Sequence, residues 1–335
     1  MYNGRKFMGF KEYAGKRIFQ GIITIMLAIT LNFFIFRIMP GDPTRAVVGD
    51  PRIKTETRLA LIKKFGLDKP LLEQFILYFY NLFRGELGIS FVQMGRPVVE
   101  IILGRKMINT VILMGSSMSL AFALGIVFGV VAAWKRGTKT DVSSVVLSLA
   151  TYSMPVFWFG MLLLLLLSYY VMVVPIAGTI TPGLIHANFF EYAKDYLHHL
   201  VTPMVTLAVS FFGGYFLFMR DTILDVFTED YMLTARAKGL SDRKILFKHA
   251  MRNALLPMVS IMGVHVTFLI SGATMTETVF SWDGLGRLIY DSVRNSDYPV
   301  LQGIFLIMAV LVVVASICAD ITCAYLDPRI KEAAE

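Results

Sequence analysis

The sequence predicts an all-α polytopic membrane protein, and three observations carry that prediction. Hydrophobic residues make up 56% of the chain and charged residues 17%, with a mean hydropathy of +0.64, a balance foreign to ordinary soluble domains. Six runs lack charge almost entirely and suit a helix of about 20 residues, the length that crosses a hydrocarbon core about 30 Å thick. Lysine and arginine crowd onto one set of connecting segments.

The six spans are Ile18 to Phe36 (18–38 with its flank), Met107 to Trp134, Val142 to about Val173, Val201 to Met219, Leu255 to Thr276 and Val300 to Ala319. Any one of them suits a buried helix of a large soluble protein, but six in one chain favour a membrane. The first exceeds the apolar core of a signal peptide and has no A-x-A-like site, so it is expected to be retained. Pro155 interrupts the third. It removes a backbone donor and is expected to kink the helix, for a gate or for packing alone.

Orientation follows from Arg5, Lys6, Lys11, Lys16 and Arg17 before the first span, Lys135, Arg136 and Lys139 after the second, seven cations from Arg220 to Arg252, and Arg329 and Lys331 in the tail. The opposite short segments hold only Lys194, Arg287 and Arg294, so the bias is 17 against 3. Both termini are expected in the cytoplasm. Arg105 and Lys106, beside the second span on the outer side, run against the bias. The formal charge of +8 reads as topology and as attraction to anionic lipid. It does not read as nucleic-acid binding, since no basic stripe is interleaved with aromatics.

The expected organisation is a cytoplasmic N-terminus (1–17), the first helix (18–38), an extracytoplasmic insertion (39–106), a five-helix core (107–326) and a cytoplasmic tail (327–335). The insertion opens on the helix stop Met39-Pro40-Gly41-Asp42-Pro43. It continues with a helical pattern near Thr55 to Phe65 and another from about Leu71 to Phe83. The second pattern sets Leu71, Phe75, Tyr78, Phe79 and Leu82 at helical spacing, for packing on the bundle, the membrane interface or a partner.

Candidates for chemistry are few. Gly15-Lys16 is the only Gly-Lys pair and is followed by Arg17, so there is no P-loop. H-E-x-x-H and G-x-S-x-G are absent. His198 and His199 form a polar pair lacking further metal ligands, and no cofactor or metal is expected. His265 lies within the fifth span, where an imidazole is either functional or bonded to a neighbouring helix. Cys318 and Cys323 read as small packing residues. The spans carry almost no carboxylate, which disfavours an ion-coupled, stand-alone secondary carrier. No constellation suggests an embedded enzyme.

The loop 220–255 carries more. Tyr231 to Lys238 suits two helical turns with Tyr231, Ala235 and Gly239 on one face, the latter two small enough for another surface to approach. Gly239 suits a left-handed helix end. Ser241 is the expected N-cap of a second helix, with Asp242 in its first turn, running on to Pro257 near the fifth span.

Tyr231-x-x-Thr-Ala-Arg-Ala-Lys-Gly-Leu-Ser through Arg252-Asn-Ala-Leu-Leu-Pro257 resembles the cytoplasmic signature loop of the permeases of ATP-binding-cassette importers, peptide/nickel type, first permease of the pair. Further matching segments are Pro40-Gly41-Asp42-Pro43, Gly66-Leu67-Asp68-Lys69-Pro70, Gly85-Glu86-Leu87-Gly88, Glu277-Thr-Val-Phe-Ser-Trp-x-Gly-Leu-Gly-Arg287, Asp297-Tyr-Pro-Val300 with Gln302-Gly303, and Leu326-Asp327-Pro328-Arg329. Leu233 and Thr234 depart from the Glu-Ala of the general signature, and Asp283 stands where a proline often precedes Gly284.

The resemblance implies a six-helix importer permease core of the type I ABC importer kind, with an extracytoplasmic insertion after the first helix, in a prokaryotic cell membrane. The implied partners are a second homologous permease, two cytoplasmic ATP-binding subunits, an extracytoplasmic solute-binding protein and membrane lipid, with no nucleic acid. ATP hydrolysis falls to the partner subunits. The implied coupling residues are Tyr231, Ala235, Ala237, Lys238, Gly239 and Pro257. The implied cargo is dipeptides or oligopeptides, with nickel complexes, glutathione or oligosaccharides imported by the same machinery as the alternative.

Overall fold

The computed structural model describes residues 10–38, 69–93, 95–266 and 273–326, the side chains of Ile38, Val264, Val266 and 323–326 excepted. It is nearly all helical: α1 (Phe10–Ile38), α2 (Leu71–Phe83), α3 (Val98–Leu103), α4 (Arg105–Trp134), α5 (Lys139–Ser153), α6 (Val156–Leu163), α7 (Phe189–Phe227), α8 (Asp230–Ala237), α9 (Met251–Val266), α10 (Thr274–Val279), α11 (Leu285–Arg294) and α12 (Tyr298–Leu326). Among the described residues, four stretches, Phe10–Arg37, Val98–Trp134, Phe189–Phe227 and Tyr298–Thr322, are long and apolar enough to cross a membrane. The expected fifth span is described as far as Val266 and resumes at Ala273. The expected helix near Thr55 to Phe65, the Met39 to Pro43 turn and the tail motif beyond Leu326 lie outside the described residues.

The third span is more than kinked. Its halves, Lys139–Ser153 and Val156–Tyr170, meet at 100°, because Met154 is extended (ψ 130) ahead of Pro155, as residues before proline tend to be. Counted as one span, the pair makes a fifth crossing. The fourth span is longer than its apolar run: α7 is a 39-residue helix that carries Pro203 inside it.

The core is built on α4 crossing α7. A side chain added at Gly125 would put its Cβ 2.5 Å from that of Tyr215, and one at Gly129 would meet Met219 and the Phe216 carbonyl at 2.9 Å. This G-x-x-x-G pair lets two backbones approach as only small residues allow. Gly213 does the same for α7 against the Ser148 carbonyl of α5, also at 2.5 Å.

α1 packs along α12, and Asn32 donates to the Gln302 carbonyl at 3.2 Å across 270 residues of sequence. Cys318, expected to pack, is exposed on α12, whose membrane-crossing window is only 17% buried by the chain. It faces whatever surrounds the lone subunit.

Candidate coupling site

α8 forms where an acid, Asp230, begins the helix and Arg236 closes it, each complementing the helix dipole. Gly239 then takes φ +72°, the left-handed turn expected of it, and its N–H reaches the Arg236 carbonyl at 2.9 Å. An added Cβ there would meet nothing within 4 Å, so the position favours glycine for its backbone conformation alone.

The inward face of α8 is Met232 and Ala235, 1% and 6% exposed, packed in one cluster with Ile223, Ile245, Leu246 and Ala250. Ala235 thus lies on the inward side of α8. Its small size serves close approach, but the surface that approaches is this chain's own second loop helix. Tyr231, Leu233, Ala237, Lys238 and Gly239 remain exposed on the outward side. The Tyr231 hydroxyl accepts from Asn253 Nδ2 at 2.7 Å, which ties α8 directly to α9.

Ser241 does precede the second helix, with φ −64° and ψ 147°, yet its side chain makes no capping bond. The Ser241 carbonyl instead accepts from Ile245 N at 3.0 Å. From Asp242 the chain stays helical through a wide turn, Ile245–Ala250, and on through α9 to Val266. That turn carries an i→i+5 pattern, a feature often found at functional positions. Pro257 lies inside α9, where it removes one donor from the ladder. The loop is thus a short helix bonded to a helical rod that enters the bundle.

One ion pair fixes the base of this device. Asp141, buried at the start of α5, accepts from Arg220 Nε and Nη2 of α7 at 2.7 and 3.0 Å, and from Gly137 N at 3.0 Å. The fork-on-carboxylate geometry is the strong form of such a pair. Farther along α7, the Tyr215 hydroxyl lies 2.7 Å from Nδ1 of His265 on α9, so the imidazole bonds a neighbouring helix, the second of the two readings open to it.

The opposite end of the bundle is closed by the Glu277 to Arg287 segment. Glu277 is fully buried. Its carboxylate accepts from Thr110 Oγ1 at 2.7 Å and Arg287 N at 3.0 Å. Trp282 Nε1 donates to the Asn109 carbonyl at 3.1 Å, and Tyr196 donates to the Asn109 side chain at the same distance. Asp283, in the proline position of related motifs, pairs with Lys106. Lys106, which runs against the charge bias, is therefore held by a local partner. His198 and His199 diverge, to the Val173 carbonyl and to Asp195. Among the described residues no cluster fit to hold a metal ion occurs.

Burial pushes the Glu277 carboxyl above its ordinary 4.5, outweighing the Thr110 hydroxyl and backbone donors that favour the charged form. A raised folded-state value contributes stability below the unfolded value, and that contribution is lost as pH rises through the folded one. The unfolding midpoint is therefore expected to fall as pH rises from 4.5 through the folded value, and Glu277→Gln to flatten the decline. Thermal unfolding across that range checks it; an unchanged slope in the variant contradicts it.

Sequence reasoning missed three features: the Gly125/Gly129 crossing, whose G-x-x-x-G signal was present, the Asp141–Arg220 pair, and the Glu277–Thr110 bond. The last two join residues 79 and 167 positions apart, and no local pattern announces such pairings.

Comparison with known proteins fits this architecture. Residues 125–332 match the model of the binding-protein-dependent transport system inner membrane component, and residues 11–112 match the N-terminal model of such membrane components. The chain is 39% identical to the oligopeptide transport system permease protein AppB of Bacillus subtilis, covering 92% of this chain and 96% of that one. It is 35% identical to the dipeptide transport system permease protein DppB of Escherichia coli K12, with the same shares covered. It is 34% identical to the di/tripeptide transport system permease protein DppB of Pseudomonas aeruginosa, covering 96% and 98%. In fold it is similar to a chain of the MetNI methionine ABC transporter in inward facing conformations, with a TM-score of 0.53 at 16% identity over 67% of this chain and 95% of that one. The chain belongs to the family of inner membrane components of binding-protein-dependent transport systems.

Proposed function

We propose that this chain is the first of two homologous permeases in an ATP-driven importer of dipeptides or oligopeptides. Its partners in this reading are the second permease, two cytoplasmic ATP-binding subunits and an extracytoplasmic solute-binding protein. The observation that carries it is the loop at 220–255: a short helix with small residues on its exposed side, bonded through Tyr231 and Asn253 to a helical rod that enters the bundle. An ATPase groove that grips the outward side, Tyr231, Ala237, Lys238 and Gly239, would move α9 with it, with Pro257 inside the moving rod. Ala235 acts from beneath, holding α8 to that rod. Relatives named for peptide transport support the choice of cargo.

The proposed topology puts residues 1–17, 220–255 and 327–335 in the cytoplasm and an insertion, 39–106, outside, around a six-helix core. The lysine and arginine bias supports it. Co-reconstitution with the four partner proteins in liposomes tests the function. ATP-dependent accumulation of labelled peptide, dependent on the loaded binding protein, is the expected result. Uptake of a nickel complex with no uptake of any peptide contradicts the cargo. Uptake by the chain alone, driven by an ion gradient, contradicts the mechanism.

A further inference from the structure

α2 has its polarity turned inside out. Gln74, Tyr78 and Asn81 face inward onto a cavity of about 470 Å³ that Arg37 also lines. Leu72, Ile76 and Phe83, spaced so that they share one side of the helix, face outward and are 70%, 60% and 80% exposed. A helix on a water-facing surface carries the opposite arrangement.

The depth of the helix is fixed by its contacts with α1. Phe75 stacks on Phe34 at 5.8 Å and meets Phe33 edge-on at 5.2 Å. The Tyr78 hydroxyl reaches Asn32 at 3.5 Å. These partners lie about one turn before Arg37, inside the apolar run that ends at Phe36. α2 is therefore held at a level where α1 is itself within the membrane. On α1, Leu27, Leu31, Phe34 and Ile35 are also exposed, so the outward surface of the span continues onto α2. Cations bracket the stripe: Lys69 precedes the helix and pairs with the exposed Glu73 at 3.7 Å, and Arg84 follows it with its guanidinium 4.6 Å from the Tyr80 ring centre. Aromatic and long basic side chains together mark the headgroup boundary of membrane helices.

We propose that α2 is a lipid-immersed helix, its Leu72–Ile76–Phe83 stripe set among the acyl chains of the extracytoplasmic leaflet and Lys69 and Arg84 at the level of the lipid phosphates. The choice of leaflet rests on the topology proposed above; immersion in lipid does not. The continuity with α1 and the flanking cations favour phospholipid over a protein partner as the occupant.

Spin labelling tests this on the full chain. In a Cys318→Ser, Cys323→Ser background, single nitroxides are placed by Leu72→Cys, Ile76→Cys, Tyr78→Cys and Phe83→Cys. The labelled transporter complex is reconstituted in phosphatidylethanolamine and phosphatidylglycerol liposomes. Collisions with dissolved oxygen, enriched in the bilayer, and with a water-soluble nickel chelate are then compared. The expected result is oxygen access well above chelate access at positions 72, 76 and 83, with both low at 78. Chelate access equal to or above oxygen access at the three outward positions overturns the proposal in favour of a solvent-facing helix. Low access to both at those positions overturns it in favour of a protein covering the stripe. Neither outcome bears on peptide uptake, so this test and that of the proposed function fail independently.

Discussion

Ala237→Trp is expected to leave the chain folded and inserted but to uncouple it from ATP. Ala237 is exposed at the end of α8 beside Gly239, so an indole there displaces nothing within the chain. It would hold a groove-forming partner away from the helix. Overpacking a close interface costs about 1–3 kcal/mol, which lowers a binding equilibrium roughly 5- to 150-fold. Peptide uptake should fall by a comparable factor in liposomes, and ATPase activity should lose its dependence on the loaded binding protein.

Two variants at Gly239 separate contact from conformation. Gly239→Val forces a β-branched residue into a left-handed position at roughly 1–2 kcal/mol and should act in the same direction. Gly239→Asn, which tolerates φ near +72°, should stay near the parent. If Ala237→Trp assembles with its partners and transports at the parent rate, the outward side of α8 is not the coupling surface.

Arg220→Ala is expected to be the most destabilising single change at the loop end of α7. It leaves the buried carboxylate of Asp141 without its two guanidinium donors, and stranding one member of a buried pair costs about 3–5 kcal/mol. The unfolding midpoint and the yield of assembled complex should both drop. Arg220→Lys should recover little, since an ammonium cannot form the two-point contact. Removing both charges, with Asp141→Asn and Arg220→Gln, should recover more, because no buried ion is then left unpaired. An unchanged midpoint in Arg220→Ala would mean that water replaces the lost partner and that α5 is held by the Gly213 contact instead.

What was legible in the sequence is what depends on local period and local chemistry. The limits of α2 follow from Pro70 before it and Gly85 after it, and the structure begins the helix at Leu71 and ends it at Phe83. Gly239 reads as left-handed because helix ends ask for that conformation and glycine supplies it at no steric cost. The faces were harder. On α8, spacing puts Tyr231, Ala235 and Gly239 in line, but which side turns inward is decided by Ile245 and Leu246 across the loop. Ser241 has the chemistry of a cap and the backbone of one, yet its hydroxyl makes no capping bond. At Pro155 the sequence announces a break but not its angle, which depends on what each half of the span packs against.

The bond between Asn32 and the Gln302 carbonyl also sets a clock. The first span leaves the ribosome long before the last, and 270 residues separate the two groups. At about 5–20 residues per second, the asparagine waits roughly 15–55 s for its partner to be synthesised. During that interval an amide buried in the finished protein must be held by water, by lipid headgroups or by the insertion machinery. Tyr78, only 46 residues on, can reach the Asn32 oxygen early, but a ribosome that stalls late would strand a membrane helix with its amide N–H still unmatched.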